Sequence, residues 1–252
     1  MSLNKSLSAL VLVSLSAACG EGAESSIATS APELHGPLVA NGGPMSTALV
    51  RFHGCPICRG SSTLIRQDMV LTNKHVVNWT GASSIYVQVG TAPVVEVDTY
   101  QVINKWESPT ADLAILQIEC SFHPADILAV PLSRSNKDYI KAETITLAGY
   151  GPTSWTGGDY GIKRSGTLAL PSPAFSWGTT WSSSGVVGSA PGDSGGSLYF
   201  NIDGAPTLAG VITWGTTNDA AHYSAGQRVD ANLAWIDPIL ATPPPQPRCP
   251  RL

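Results

Sequence analysis

A serine flanked by small residues marks the segment with the clearest chemistry, residues 191–198, which reads Pro-Gly-Asp-Ser-Gly-Gly-Ser-Leu. Glycines on both sides of Ser194 allow a tight turn in which backbone N–H groups approach whatever the hydroxyl attacks. The sequence therefore predicts that Ser194 attacks a carbonyl carbon and that the N–H groups of Gly192 and Ser194 stabilise the charge on its oxygen. A serine hydroxyl needs an activating base, so a histidine and a carboxylate are required elsewhere.

The base and the acid that Ser194 requires each have a leading candidate. Among five histidines, His75 comes shortly after the strand-like residues Val70-Leu71-Thr72, where a strand should end and a short turn begin. Asp112 stands at the head of the apolar run 113–116, where its carboxylate would be partly buried. Burying a charge costs several kcal/mol unless the charge is paired, which favours a functional role over a turn aspartate exposed to solvent.

Three segments together resemble the trypsin/chymotrypsin-like serine peptidases, in which the catalytic residues follow the order His, Asp, Ser. They are Leu-Thr-Asn-Lys-His ending at His75, Asp-Leu-Ala-Ile-Leu beginning at Asp112, and Gly-Asp-Ser-Gly-Gly around Ser194. Further matches are Thr63-Leu64-Ile65, Gly149-Tyr150-Gly151, Thr213-Trp214-Gly215 and Trp235-Ile236. The resemblance covers about residues 38–240.

Two departures from the family pattern lie beside the histidine. Asn73-Lys74 replaces the usual Ala-Ala, and Val76 replaces a cysteine, as in the periplasmic HtrA-type peptidases. Those proteins typically carry Gly-Asn-Ser-Gly-Gly at the serine, whereas this chain has Asp193 there. A simple secreted peptidase of the bacterial type therefore fits better.

The resemblance implies a mechanism. Ser194 attacks the peptide carbonyl, His75 takes its proton and passes it to the leaving amine, and Asp112 fixes the tautomer of the histidine. Gly192 and Ser194 supply the oxyanion hole, and residues 213–215 pair with the substrate backbone as an added strand. The expected partner is a protein or peptide substrate, and no metal or organic cofactor is required.

The resemblance also places the pocket for the substrate side chain before the cut. Its floor is the residue six before the nucleophile, Gly188, with Ser189 and Ala190 beside it, while Gly215 and Ser224 leave it open. No carboxylate is present there to pair with arginine or lysine, so cleavage after apolar or aromatic residues is predicted. An alternative is that His222 enters the pocket and favours an acidic residue.

Activation of the family depends on the residue before the nucleophile, here Asp193. By resemblance, an N-terminal ammonium freed by proteolysis pairs with this carboxylate. The nearest match to the family's Ile-Val-Gly-Gly lies at residues 38–43, so a zymogen that is cut within residues 30–38 is the expectation.

Composition agrees with a β-rich globular domain. Of 252 residues, 25 are glycine and 19 are proline, and short apolar runs alternate with turn residues. The predicted class is all-β, with two six-stranded antiparallel β-barrels over about 38–130 and 131–240 and a short helix at 231–240. A Pro-rich extended tail follows over 241–252. The net charge of −4 provides no basic surface for nucleic acid, and a monomer is expected.

The N-terminus predicts export. Residues 1–19 contain Lys5, the apolar run 7–15 and small residues before Cys19, as in a secretory signal peptide. A linker or pro-segment is predicted over 20–37. The protein is therefore expected to be secreted or to lie in the periplasm or cell envelope. Alternatively, Cys19 is the acylated cysteine of a lipoprotein, the one case in which a membrane partner is expected.

Four cysteines remain after Cys19, namely Cys55, Cys58, Cys120 and Cys249, and three disulfide connectivities are possible among them. The Cys-x-x-Cys pair at 55 and 58 is open to three interpretations: a local disulfide, a redox pair or half of a zinc site. No second pair with ligand spacing appears, which disfavours zinc. The preferred pairing joins Cys120 to Cys249 and so holds the tail.

Two other functions compete with a peptidase. The segment around Ser194 also satisfies Gly-x-Ser-x-Gly, the nucleophile elbow of α/β-hydrolases, but that fold needs long helices and an acid and histidine after the serine. A catalytically inactive binding or regulatory homologue on the same fold is the second alternative. Such homologues usually lack a member of the triad, and none is missing here.

Overall fold

β-strands dominate the fold, which confirms the all-β, chymotrypsin-like class predicted from the sequence. The computed structural model describes residues 39–40, 46–89, 99–124, 127–138, 142, 144–152, 160–169, 175–177, 180–185, 188–218, 221–245 and 247–249. The predicted signal peptide with Cys19, the predicted linker or pro-segment and residues 250–252 of the tail lie outside these residues. Among the described residues, no helix is long and apolar enough to cross a membrane.

The strands are numbered in chain order. They are β1 (Val39–Ala40), β2 (Thr47–Phe52), β3 (Cys55–Arg66), β4 (Met69–Thr72), β5 (Ile85–Gln88), β6 (Thr99–Glu107), β7 (Ala114–Ile118), β8 (Thr144–Gly149), β9 (Arg164–Ala169), β10 (Phe175–Trp177), β11 (Thr180–Gly185), β12 (Ser197–Ile202), β13 (Ala205–Asn218) and β14 (Ala221–Arg228).

The N-terminal half forms a closed antiparallel barrel in the order β2-β3-β4-β7-β6-β5. Alternate residues of β2, such as Val50, and of β5, such as Val87, point into the barrel core, as the period of a strand requires. Both faces of β4 and β7 are buried, because Val70 faces the barrel core while Leu71 packs in a second cluster with Tyr199. Burial on both faces explains the nearly continuous apolar sequence of β4. The strand positions the site residues that come directly after it.

The strands of the C-terminal half form an antiparallel sheet together with β1, in the order β1-β9-β8-β12-β13-β14-β11-β10. Its eight strands differ from the predicted six. The additional strands are the two outermost ones: β1 pairs two residues with β9, and β10 forms a three-residue hairpin with β11. Strands of two or three residues are too short to show an alternating pattern in the sequence.

Helices are short. α1 spans Lys74–Val77, directly after β4. α2 spans Leu233–Leu240 after a 3₁₀ turn at Asp230–Asn232, which agrees with the predicted helix at 231–240 apart from its first turn. Ile236 and Ile239 of α2 are buried in the second hydrophobic cluster.

Hydroxyl groups fill the seam between the barrel and the second sheet. The Tyr199 hydroxyl is hydrogen-bonded to Ser46 at 3.1 Å and to Thr47 at 2.9 Å, and Ser197 is hydrogen-bonded to Thr47 at 3.1 Å. Burial raises the pKa of Tyr199 and of Tyr150, whose hydroxyl donates to Thr47 O at 3.1 Å. Every such pair costs stability if one partner is lost, so the seam fixes how β2 sits against β12.

Two disulfides join the four cysteines in the predicted pairs, Cys55–Cys58 and Cys120–Cys249. The local disulfide is therefore the correct interpretation of the Cys-x-x-Cys pair. The second disulfide holds the tail, where Cys249 N–H also donates to Ser121 O at 3.0 Å. Arg66 adds to this anchoring, because its Nη1 donates to Leu240 O at 2.6 Å and to Thr242 O at 2.5 Å.

Candidate active site

His75 and Asp112 lie against each other at the end of β4. His75 is the second residue of α1, and its ring Nδ1 is 2.6 Å from Asp112 Oδ2. Its backbone N–H donates to Asp112 Oδ1 at 2.8 Å. One carboxylate therefore fixes both the ring and the backbone of the histidine. It also caps the N-terminus of α1, because it accepts from a backbone N–H of the first turn.

A closed turn between β6 and β7 holds Asp112. Ser108 N–H donates to Leu113 O at 2.9 Å, and the Ser108 hydroxyl accepts from Ala111 N–H at 3.1 Å. Burial alone would raise the pKa of Asp112, but the hydrogen bonds and the charge of His75 outweigh it, so the pKa lies below its usual value. The carboxylate is thus ionised at neutral pH and available to orient the ring.

Ser194 lies in the turn before β12, where Gly192 and Gly195 have φ values of +98° and +86°. The Ser194 hydroxyl donates to Thr213 O at 3.4 Å, a long hydrogen bond. β3 holds this turn from the barrel side, because Ser61 N–H donates to Ser194 O at 2.8 Å and the Ser61 hydroxyl donates to Gly192 O at 2.9 Å. Ser194 is thus held between the two halves of the fold.

The two N–H groups predicted for the oxyanion hole belong to the same turn. Within the described residues, no group accepts a hydrogen bond from Gly192 N–H or Ser194 N–H. The ring of Tyr160 lies beside Gly192, within 3.2 Å of the place where a Cβ would stand. The turn can therefore offer two adjacent donors to a developing oxyanion.

Asp193 points away from Ser194 into a fully buried pocket. Its Oδ1 accepts from Gly151 N–H at 2.8 Å and its Oδ2 accepts from Ala190 N–H at 2.9 Å. A Cβ at Gly149 or Gly151 would collide with this carboxylate. Burial raises the pKa of Asp193 to about 6, although the two N–H groups and the charge of Arg164 act in the opposite direction.

Arg164 lies close to this carboxylate. It is buried, its Nη1 donates to Gly151 O at 2.9 Å, and its charge favours ionised Asp193. The backbone of Arg164 pairs with Ala40 of β1, within the segment that resembles the family's activated N-terminus. Residues 41–43 and Leu38 lie outside the described residues.

The residues predicted to form the pocket meet beside the Ser194 turn. Gly188, Ser189 and Ala190 are buried, and Ser189 N–H donates to the Ser224 hydroxyl at 2.8 Å. The same hydroxyl donates to Ser189 Oγ at 3.1 Å. β13 carries Thr213, Trp214 and Gly215 along one side, and Gly215 pairs with Ser224. The side chain of His222 lies outside the described residues.

Asn73 and Ser61 also belong to this site, although neither was predicted as a site residue. The buried Asn73 amide donates to Asp112 O at 2.8 Å and accepts from Gly195 N–H at 2.7 Å. The one sequence signal was Asn73 in place of the family's alanine. Ser61 lies in a strand with no catalytic motif of its own, so no signal identified it.

Comparison with known proteins agrees with this fold. The family described as Trypsin matches residues 39–236, so the chain belongs to the trypsin family. Human chymotrypsin-like elastase family member 1 is 25% identical over 227 residues, which cover 76% of this chain and 83% of that protein. The resemblance predicted from the sequence is confirmed, and the chain is a serine protease with protein or peptide substrates. The α/β-hydrolase alternative is wrong, because the fold is all-β.

Proposed function

We propose that this protein is an exported serine endopeptidase in which His75, Asp112 and Ser194 form the catalytic triad. The pairing of His75 Nδ1 with Asp112 Oδ2 at 2.6 Å carries the proposal. Because the carboxylate accepts from Nδ1–H, the other ring nitrogen, Nε2, is left as the acceptor that a base requires. The hydrogen bond of Ser194 to Thr213 O is long, so the hydroxyl exchanges it readily for His75.

The reaction proceeds in two halves. Ser194 Oγ attacks the peptide carbonyl while its proton moves to His75 Nε2, and the resulting oxyanion accepts from Gly192 N–H and Ser194 N–H. The C–N bond then breaks as His75 passes the proton to the leaving amine, which leaves an acyl-enzyme. In the second half, water attacks the acyl-enzyme while His75 takes its proton. The C–O bond to Ser194 then breaks, His75 returns the proton to Ser194 Oγ, and the carboxylic acid product is released.

Substrate preference is proposed for apolar or aromatic residues before the cut. The hydroxyls of Ser189 and Ser224 are hydrogen-bonded to each other, and no carboxylate lies among Gly188, Ser189, Ala190 and Ser224. The pocket thus presents small, internally satisfied groups rather than a counter-charge for lysine or arginine. The similarity to a chymotrypsin-like elastase supports the same class, since chymotrypsin and elastase pockets are uncharged.

Labelling with a fluorophosphonate probe tests the catalytic proposal directly. The wild-type protein should label at one site, and Ser194→Ala should not label and should lose about 10⁶-fold in kcat. Ser197→Ala is the matched control and should still label, because Ser197 lies three residues further on, at the start of β12, and is hydrogen-bonded within the seam. A wild-type protein that has been cut within residues 30–38, is folded and does not label would instead support the inactive-homologue alternative.

Profiling with a peptide library tests the preference. Cleavage should follow apolar or aromatic residues in most products. Dominant cleavage after arginine or lysine would contradict the uncharged pocket, and dominant cleavage after acidic residues would favour a role for His222.

Export and maturation complete the proposal. The two disulfides are typical of proteins outside the reducing cytoplasm. We expect a secreted or envelope monomer that loses residues 1–19 and is cut within residues 30–38. N-terminal sequencing of the active protein and its mass in solution would test both points. Full activity in a form that begins at residue 20 would contradict the second cut, and an acyl chain on Cys19 would identify a lipoprotein.

A further inference from the structure

One buried side chain contacts all three segments that carry the proposed triad. Asn73 lies two residues before His75 and is fully buried. Its Nδ2 donates to Asp112 O at 2.8 Å and to Thr213 Oγ1 at 3.2 Å, and its Oδ1 accepts from Gly195 N–H at 2.7 Å. A single amide therefore spans the base, acid and nucleophile segments.

The position of Asn73 in the chain would normally give it another task. It is the N-cap residue of α1, where asparagine usually accepts from the backbone N–H groups of its own helix. Its side chain makes no such capping bond, and Asp112 instead accepts from His75 N–H. The Asn73 amide is thus available for contacts with residues that lie 39 and 122 positions away in the chain.

The chemistry of the partners requires an amide. Asp112 presents a carbonyl, which needs a donor, and Gly195 presents an N–H, which needs an acceptor. Only one orientation of the amide satisfies both, so the network fixes which atom is oxygen. An alanine, as in the usual family pattern, offers neither group. An aspartate keeps the acceptor and loses the donor.

We propose that Asn73 is a positioning residue that fixes the distance between the Asp112–His75 pair and the Ser194 turn. The inference rests on the proposed triad and adds to it. Gly195 N–H is shared between Asn73 Oδ1 and Ile212 O, so the turn stays tied to β13 when Asn73 is removed. Asn73 therefore sets the fine placement of the turn relative to the acid and base, a shift of the kind that costs about 10²-fold in rate per ångström.

Two substitutions and one control test the inference. Asn73→Ala should lower kcat 10- to 100-fold, as losses of groups that orient catalytic residues typically do, with KM changed less than 3-fold. It should also shift the downfield proton resonance of the His75 Nδ1–H, because the Asp112 backbone is released. Asn73→Asp has nearly the same shape and should lose kcat similarly. Asn232→Ala removes another buried asparagine amide, which donates to Arg228 O at 2.6 Å, and should change stability alone.

The outcomes separate the inference from the proposed function. The kcat values are calculated per active site, with active sites counted by fluorophosphonate labelling, so that unfolded protein does not lower them. A wild-type kcat and an unmoved proton resonance in either folded Asn73 variant would overturn the positioning role. Failure of both variants to fold would also overturn it, because the amide would then be needed for the fold itself. A wild-type protein that is inactive after the cut within residues 30–38, or a Ser194→Ala variant that is as active as wild type, would refute the triad instead.

Discussion

Asp112 accepts two hydrogen bonds from His75, one from the ring Nδ1 at 2.6 Å and one from the backbone N–H at 2.8 Å. Asp112 therefore fixes the backbone of His75 as well as the orientation of its ring. The two contacts differ in what they require, because the backbone N–H fits any acceptor whereas the ring contact selects the tautomer with a proton on Nδ1. A substitution of Asp112 can therefore keep the backbone of His75 in place while changing the tautomer of its ring.

Asp112→Asn should lower kcat by about 10⁴-fold, because the asparagine can keep the backbone contact but can hold the ring in the wrong tautomer. KM for a small ester should change little. The measurement is kcat at saturating ester, with active sites counted by titration. Asp237→Asn is the control, since Asp237 pairs with Arg134 on the surface and should leave kcat unchanged. A loss below 10-fold in Asp112→Asn would contradict the role of the acid.

Asp193 predicts a pH dependence of stability for the chain before the proposed cut within residues 30–38, since that cut would bring an ammonium group to its carboxylate. Its pKa is raised from 3.8 to about 6, chiefly by burial. Between these values the folded protein holds a proton that the unfolded chain has lost, so the contribution of Asp193 to stability falls as pH rises and is constant above about pH 6. Asp112, whose pKa is lowered, contributes with the opposite sign below pH 3.8 and so outside this range.

Asp193→Asn should remove the part of the decrease in stability with rising pH that Asp193 causes. The free energy of unfolding, measured by denaturant titration from pH 4 to pH 7, should decrease with pH more steeply in the wild type than in the variant. Asp203→Asn, at an exposed turn, should follow the wild-type profile. Parallel profiles for wild type and Asp193→Asn would show that the carboxylate titrates alike in the folded and unfolded states.

Much of the site was predictable because its main residues lie in short local patterns. His75, Asp112 and Ser194 each adjoin an apolar strand or a glycine turn that the chain displays over five to eight residues. The contacts of Asn73 and Ser61 were not predictable, because they join residues 122 and 131 positions apart through the packing of β3 and β4 against the Ser194 turn. Strand β1 was missed for another reason, since two paired residues leave no periodic signal.

Two glycines with positive φ allow the cost of backbone strain to be compared with the cost of a steric collision. Gly195 has φ +86°, and a Cβ there would collide with Ser61 O and the Thr72 hydroxyl. Gly204 has φ +75° in a surface turn with nothing within 4 Å of the added atom. Gly204→Ala should therefore cost about 1–2 kcal/mol, the backbone strain alone.

Gly195→Ala should cost several kcal/mol and abolish fluorophosphonate labelling, because the backbone of β3 cannot retreat without moving Ser61 away from the Ser194 turn. Thermal unfolding and labelling of both variants provide the measurement. Equal stabilities for the two variants would mean that the turn and β3 are less closely packed than the structure indicates.

The two disulfides should differ in their contribution to stability, because they close loops of very different length. Cys120 and Cys249 are 129 residues apart, whereas Cys55 and Cys58 are three apart. Restriction of the unfolded chain then favours the long loop, for which removal by paired serine substitutions should cost about 3–5 kcal/mol, against about 2 kcal/mol for the short one. Denaturant unfolding of the two double-serine variants measures both costs. The reverse order would show that folded-state contacts around Cys55 and Cys58, rather than the entropy of the unfolded chain, determine what each disulfide contributes.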